Sequence, residues 1–478
     1  MRLLLALLIA CADPSHPAGS KAPRDSSPRP AGETGPSGET GPDSADPSTP
    51  PWSDDACQGL DLGDDPFAAD IAAFADDTPP TGGLLAVGSS TIRRWRTFQR
   101  SLSAFDPLQR GIGGARLTDL IQHQGSLLHA SAPAGLLLFA GTNDIADGRS
   151  VEAVLQAWRC LAQGVLSQPH TPILYTIGIT PTPARWALWE SAAAFNAEVA
   201  RLSALHPRLR YIDSPAPFLA TGSPPSASLF VEDGLHLSEA GYQLFTDSVL
   251  TALSGDLPLA STPLPAGPPA GSYLRVDLGP TNPEDGLPAP SIDGFGIHWN
   301  TAAWAPGGAQ ILAGRARRGL VTTTGLSTQV SLTVSGGLRS NGLRNGGLTT
   351  PDGALLGTLA VPEATADFVY SGDPDDPAGL TLGGLDPAGT YTLRLFASRA
   401  TEEERRTSTF TVYGSGDPVV GSLLTSGADV GSGGYDGNNN TVLVLTGLRP
   451  DARGRLHLEM AREGAFLYLN LLELETAG

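Results

Sequence analysis

The chain predicts two folded units of different class: an α/β unit with a parallel sheet over residues 57–254, and an all-β sandwich over 273–478. Three observations carry this. Between residues 57 and 254, the short apolar runs "GLLAVG", "GLLLFAG", "PILYTIGI" and "LRYID" have the length of strands. Amphipathic stretches lie between and after them: "ARLTDLIQHQGSLLH", "VEAVLQAWRCLAQGVL", "LWESAAAFNAEVARLSAL" and "SEAGYQLFTDSVLTAL". Strands alternating with helices imply a parallel sheet covered on both faces, with functional groups gathered beyond the carboxyl ends of its strands. After residue 272 the texture changes to short alternating segments such as "SYLRVDLG", "TYTLRLFAS" and "STFTVYG", separated by Gly, Asp, Asn and Pro. That pattern predicts a β-sandwich.

The remaining segments read as connections. Residues 255–272, within "SGDLPLASTPLPAGPPAGS", are a Pro/Gly-rich linker. Residues 12–56 are mostly Pro, Gly, Ser, Asp and Glu, too poor in apolar groups to offset the entropy of ordering, which predicts a disordered tether. Its "GETGPSGETGPD" has a glycine every third residue, but four triplets are too few for a triple helix. Residues 1–11, "MRLLLALLIAC", have the charged start and short apolar run of a secretory signal. The ending "LIAC" resembles a bacterial lipobox, which implies lipidation at Cys11 and an exported, membrane-anchored protein facing the periplasm or the cell surface.

Export bears on the other two cysteines. In an oxidising compartment Cys57 and Cys160 are the only candidates for an internal disulfide, the alternative being two separate buried thiols. The formal net charge is −19, and Lys21 is the only lysine. A chain so acidic lacks the basic patch that nucleic acid or anionic headgroups require, so no nucleic-acid partner is expected and contact with the membrane runs through the lipid anchor alone.

Four segments of the α/β unit carry polar residues at or near predicted strand ends or at the start of the last helix: "GSS" at 88–90, "QRGIGGARL" at 109–117, "AGTND" at 140–144 and "DGLHLSEAGY" at 233–242. In order and chemistry they resemble the SGNH (GDSL-type) hydrolases, and the resemblance covers roughly residues 57–254. It implies a flavodoxin-like three-layer α/β/α fold and esterase chemistry without a cofactor. The family's nucleophile falls on Ser90. A hydroxyl is a weak nucleophile and needs a base, which the resemblance places at His236, with Asp233 three residues earlier to hold the imidazole. The oxyanion donors implied are the Ser90 N–H, the Asn143 side chain and the N–H of Gly114, with Gly113 as the alternative glycine. One position departs from the pattern: Ser89 stands where the family has aspartate. That leaves the details of the turn open, not the triad.

"TPARWALW" follows the predicted strand "PILYTIGI" and places Arg185, Trp186 and Trp189 where they would line a substrate cleft, the other reading being tryptophans that pack a helix on the domain. The remaining histidines have no metal-ligand spacing, so no metal site is expected. "HWNTAAW" and "GYDGNNNT" in the second unit resemble segments of jelly-roll modules appended to secreted carbohydrate-active proteins. Trp299 and Trp304 are then candidates for stacking on sugar, against the reading of core tryptophans.

These readings predict an exported serine esterase acting on short acyl esters, with acetyl groups on a polysaccharide as a candidate substrate. Two rivals stand beside it: an acyltransferase using the same site, and a surface glycan-binding protein with a vestigial hydrolase domain. Because every catalytic candidate precedes the second linker, the sandwich reads as a separable accessory.

Overall fold

The computed structural model describes residues 54–478 except 75–80, 130, 283, 287, 344, 345, 377 and 401–403. The expected signal, the Cys11 lipidation site and nearly all of the tether lie outside the described residues. Among the described residues no helix is long and apolar enough to cross a membrane.

Five parallel strands build the first sheet: β1 (Leu84–Gly88), β2 (Pro107–Gly111), β3 (Gly135–Phe139), β4 (Ile173–Ile177) and β5 (Leu209–Ile212), in the order β2-β1-β3-β4-β5. Side chains alternate between the faces of a strand, so a sheet covered on both sides needs apolar residues at every position. Leu85, Val87, Leu136, Leu138 and Leu174 enter one core; Leu84, Ala86, Leu137, Phe139, Tyr175 and Ile177 enter the other. The first core is closed by helices that include α2 (Leu117–Gln122), α4 (Val151–Leu166) and α5 (Trp189–Ser203). The second is closed by the one-turn α1 (Ser90–Arg93) and by α6 (Glu239–Leu253). A further short helix, α3 (Thr142–Ala146), follows β3. Ser150 caps α4 by accepting the Ala153 N–H at 3.3 Å, and Ser238 caps α6 by accepting from Gly241 at 3.3 Å.

Strand β2, "PLQRG", is not among the apolar runs that announce the other four. It begins with proline and carries Gln109 and Arg110, yet the whole strand is buried. Gln109 Nε2 donates to the Ile92 carbonyl and, at 3.3 Å, to the Trp95 carbonyl, while the Arg110 guanidinium lies 4.4 Å over the Phe74 ring. These partners make polar residues admissible inside a sheet.

Among the described residues the C-terminal unit holds three sheets around a large apolar core, with a second, smaller cluster that includes Trp299, Phe396 and Leu471. A six-stranded sheet centres on Arg406–Tyr413, Leu456–Glu463 and Ala378–Gly383, a five-stranded sheet on Tyr391–Phe396 and Leu471–Thr476, and a four-stranded sheet on Phe368–Ser371 and Leu338–Asn341. Pairing is antiparallel apart from Val276–Asp277 against Asn300–Thr301. Strand Arg406–Tyr413 alternates buried and half-buried residues along its length, the period-2 pattern of a sandwich strand. Trp299 and Trp304 are 4% and 6% exposed, so neither presents a face for stacking on sugar.

This unit is not an appendage on a loose linker. Leu257, from the Pro/Gly-rich segment, is buried in the core beneath β1 and β3, and Ala260 donates its N–H to the Ala104 carbonyl at 3.0 Å. Leu312 of the C-terminal unit belongs to the first core of the α/β unit. Gly314 lies so close to β2 that a Cβ on it would sit 1.6 Å from the Gln109 carbonyl oxygen, and its φ of +90° independently favours glycine. Asp106, just before β2, is held by Arg453 and Arg455 at 2.7 Å each. The sandwich thus covers the β2 edge, which would otherwise expose unpaired backbone groups.

Cys57 and Cys160 form a disulfide with Cα atoms 4.8 Å apart. It ties the start of the described chain to α4, closing a loop across 103 positions. Constraining so long a loop in the unfolded chain stabilises by about 2–4 kcal/mol. A Cys57→Ser/Cys160→Ser variant is therefore expected to melt at lower temperature while keeping its turnover, because neither residue lines the cleft described below. Thermal denaturation and ester hydrolysis measured in parallel check this; an unchanged melting temperature would contradict it.

Candidate active site

The four polar blocks converge on the rim beyond the carboxyl ends of β1, β2 and β3. After β1 the chain turns at Ser89, whose N–H donates to the Phe139 carbonyl at 3.1 Å, and Ser90 opens α1. Ser89 itself is buried, and its hydroxyl has no hydrogen-bond partner among the described residues. The Asp233 loop folds around its own carboxylate: Oδ1 accepts the N–H groups of Leu235 and His236 at 2.8 and 2.9 Å. The other oxygen, Oδ2, lies 2.6 Å from His236 Nδ1, and His236 Nε2 lies 3.0 Å from Ser90 Oγ. The loop is held from outside as well. Val231 donates to the His236 carbonyl at 2.9 Å, Ala184 donates to the Gly234 carbonyl at 3.0 Å, and Tyr242 Oη on α6 donates to the Thr91 carbonyl at 2.9 Å.

Electrostatics disfavours the charged imidazole. Burial pushes the His236 pKa below its ordinary value, the nearby charges of Arg94 and Arg93 add to the effect, and together they outweigh the opposing pull of Asp233. For Asp233 burial acts to raise the pKa, but the hydrogen bonds from the His236 ring and from the two loop N–H groups hold it below the usual carboxylate range. A neutral His236 that donates Nδ1–H to Asp233 has Nε2 free to accept the Ser90 proton.

Gly114 follows β2 with φ +83°, a conformation that disfavours any residue with a Cβ; the space around it is open, the nearest atom to such a Cβ being 3.7 Å away. Asn143 donates from Nδ2 to the Ala115 carbonyl at 3.0 Å, which draws the "GGAR" and "GTND" blocks together. The second Nδ2 hydrogen remains for another acceptor.

Arg185 lines the cleft, as expected, and is also tied to the Asn143 loop. Its Nη1 donates to Asn143 Oδ1 at 3.0 Å, to Thr142 Oγ1 at 2.9 Å and to the Thr142 carbonyl at 3.2 Å. A guanidinium only donates, so it fixes the Asn143 oxygen toward itself and the amide nitrogen toward Ala115. Trp186 and Trp189 stack on each other with centroids 6.3 Å apart and planes 10° apart; Trp189 lines the lobe of the cleft formed with Thr142, Ile179 and Ala192. The main cleft is walled by Ser90, Phe139, Asn143, Thr182, Arg185 and His236, among others, and its enclosed part measures about 20 Å³.

Two groups of residues escape a reading by blocks. Asp144 lies inside "GTND" but carries no assigned role. Its Oδ2 accepts the first N–H of α2, from Leu117, at 3.1 Å, and its burial pushes its pKa up to about 6. Adjacent to the Gly114 turn, it anchors that turn to the Asn143 loop. Arg93 and Arg94 stand three and four residues after Ser90, and only their partners, far along the chain, give them meaning. Among the described residues no three His, Cys, Asp or Glu side chains are grouped to hold a metal ion.

A family model described as "GDSL-like Lipase/Acylhydrolase family" matches residues 81–244. No curated protein matches the chain. Solved structures similar to it include a GDSL-like lipase from Bacteroides thetaiotaomicron, with 17% identity over 40% of this chain and 97% of that one and a TM-score of 0.34. The lipase/acylhydrolase from Enterococcus faecalis is similar at 15% identity over 38% and 100%, with a TM-score of 0.32. An acetyl-xylooligosaccharide esterase from Geobacillus Stearmophilus is similar at 13% identity over 39% and 100%, also with a TM-score of 0.32. Residues 81–244 of this chain are a GDSL-like lipase/acylhydrolase domain.

Proposed function

We propose that the protein is a serine ester hydrolase for short acyl esters, with Ser90 as nucleophile, His236 as base and Asp233 as its partner. The observation that carries the reading is the unbroken relay from Asp233 Oδ2 through the His236 ring to Ser90 Oγ, at 2.6 and 3.0 Å. Ser90 Oγ attacks the acyl carbonyl while its proton passes to His236 Nε2. The oxyanion takes hydrogen bonds from the Ser90 and Gly114 N–H groups and from Asn143 Nδ2, the last oriented by Arg185. His236 then protonates the leaving alcohol, and water activated by the same nitrogen releases the acid and restores Ser90.

The cleft beside Ser90 is small, about 20 Å³, which supports a short acyl chain. The stacked Trp186–Trp189 pair beside the cleft offers an aromatic surface for the alcohol part, and supports a sugar there. With p-nitrophenyl acetate, butyrate and octanoate, kcat/KM is expected to fall about 10-fold or more from acetate to octanoate. Turnover of acetylated oligosaccharides that releases one acetate per hydroxyl exposed supports the glycan reading. Preference for the octanoate, or no turnover of any ester, would overturn the proposal.

A further inference from the structure

Arg93 and Arg94 immediately follow the Ser90 turn, and both are largely buried, their side chains 14% and 13% exposed. Buried guanidinium groups require compensating charge and hydrogen bonds. Here these come from the C-terminal unit, chiefly the turn Gly372–Asp376. Arg93 Nη1 donates to Gln310 Oε1 at 2.7 Å and its Nη2 lies 3.6 Å from Asp376 Oδ2, which also accepts from Gln310 Nε2 at 3.4 Å. Arg94 Nη1 donates to the Asp375 carbonyl at 3.2 Å, and its Nη2 lies 3.9 Å from Asp373. Asp376 is itself buried, at 4% exposure.

The cluster borders the histidine. The charges that act on His236 are Asp233 on its own loop, Arg93 at the end of α1 with Arg94 next to it, and Asp376 on the turn from the sandwich; Asp373, Asp375 and Glu232 face Arg94, Asp376 and one another around them. Arg185 lines the same cleft, and Tyr242 approaches from α6. The two arginines disfavour a positive imidazole, whereas an ionised Asp376 favours one; burial pushes the Asp376 carboxyl above its usual range, against the pull of Arg93 and Arg94. Asp376 thus holds Arg93 in place and, when ionised, moderates the field of the pair, while Asp375 and Asp373 hold Arg94.

We propose that Asp376 of the C-terminal unit is a positioning residue of the active site: it fixes Arg93 on the helix that Ser90 opens and offsets the charge of Arg93 and Arg94 at the imidazole. The sandwich is then a working wall of the site and not an appended binder. This rests on His236 being the base, and the test separates the two readings because its first measurement needs no substrate.

The full chain, labelled with ¹³C-histidine, is titrated by NMR, the His236 ring being assigned by its loss in His236→Gln. Removing the negative charge in Asp376→Asn leaves the arginines less compensated, so the His236 midpoint moves down by about half a pH unit. Removing a positive charge in Arg94→Gln moves it up by a similar amount, and Arg94→Lys, which keeps the charge, leaves it near the wild-type value. The acid limb of kcat/KM should follow the same directions. A merely structural Asp376 would give folded variants with no displacement, or displacements of the same sign, and either result overturns the proposal. Should Asp376→Asn fail to fold, its charge is removed together with that of its partner: the His236 midpoint in Arg93→Gln/Asp376→Asn should lie below that of Arg93→Gln, and equal midpoints in the two would overturn the proposal. Failure of the hydrolase reading would instead appear as ester turnover that survives Ser90→Ala, whatever the titration shows.

Discussion

Replacing Ser90 by alanine is expected to lower kcat for a short ester by about 10⁴-fold or more, with the thermal melt unchanged. The loss is large because the three side chains act as one unit. Without Oγ there is no acyl-enzyme, and His236 and Asp233 retain a relay with nothing to deprotonate. Binding survives, since the Gly114 and Asn143 donors and the cleft walls are untouched, so KM should change little. The neighbouring serine provides the control. Ser89 has a buried hydroxyl with no hydrogen-bond partner among the described residues, whereas Ser90 Oγ lies 3.0 Å from His236 Nε2. Removing an unsatisfied buried hydroxyl is close to neutral for stability, so Ser89→Ala should retain activity within a few-fold. Steady-state kinetics on purified Ser90→Ala and Ser89→Ala checks both. The reverse ranking would move the nucleophile to Ser89.

Ending the chain at Leu253 is expected to abolish cooperative folding of the α/β unit, and activity with it. The sequence alone suggests the opposite, because every candidate catalytic residue precedes the linker. The packing reverses that expectation. Truncation removes Leu257 and Leu312, whose burial contributes about 1.5–3 kcal/mol each. It also strips the cover from β2 and leaves Gln109 and Arg110 on an open parallel edge. The partners of Arg93, Arg94 and Asp106 are lost at the same time. Domains are stable by only about 5–15 kcal/mol, so a deficit of this size is decisive. Near-UV circular dichroism and a thermal melt of the shortened chain test this. A sharp melt at the full-length temperature, with full turnover of p-nitrophenyl acetate, would show that the α/β unit stands alone.

Four of the five strands of the first sheet were legible because each is a contiguous apolar run, and burial on both faces requires just that. The catalytic blocks were legible for a similar reason. Each consists of neighbouring residues at a chain reversal: "GSS" after β1, "GTND" after β3, and the Asp233–His236 pair, whose three-residue spacing lets one loop fold around a carboxylate. Such patterns are local, and local geometry survives projection onto a sequence. Arg185 was legible as a residue near the site but not in its role, since an isolated arginine does not disclose which acceptor it reaches.

What the sequence by itself determined was the class of both units; it also put forward Ser90, Gly114, Asn143, Asp233 and His236 as one candidate set and Cys57 with Cys160 as the candidate pair. What only the tertiary structure decided concerns polar groups inside the protein. "PLQRG" is a buried strand because the Gln109 amide finds carbonyls at Ile92 and Trp95, and because Gly314 brings the sandwich against it. Arg93 and Arg94 are buried beside the Ser90 turn because carboxylates and a carbonyl of a turn up to 283 positions away compensate them. An apolar side chain is recognisable as buried from its own chemistry, since water rejects it wherever it stands. A charged one is buried only if a partner arrives, and the partner's identity belongs to the fold.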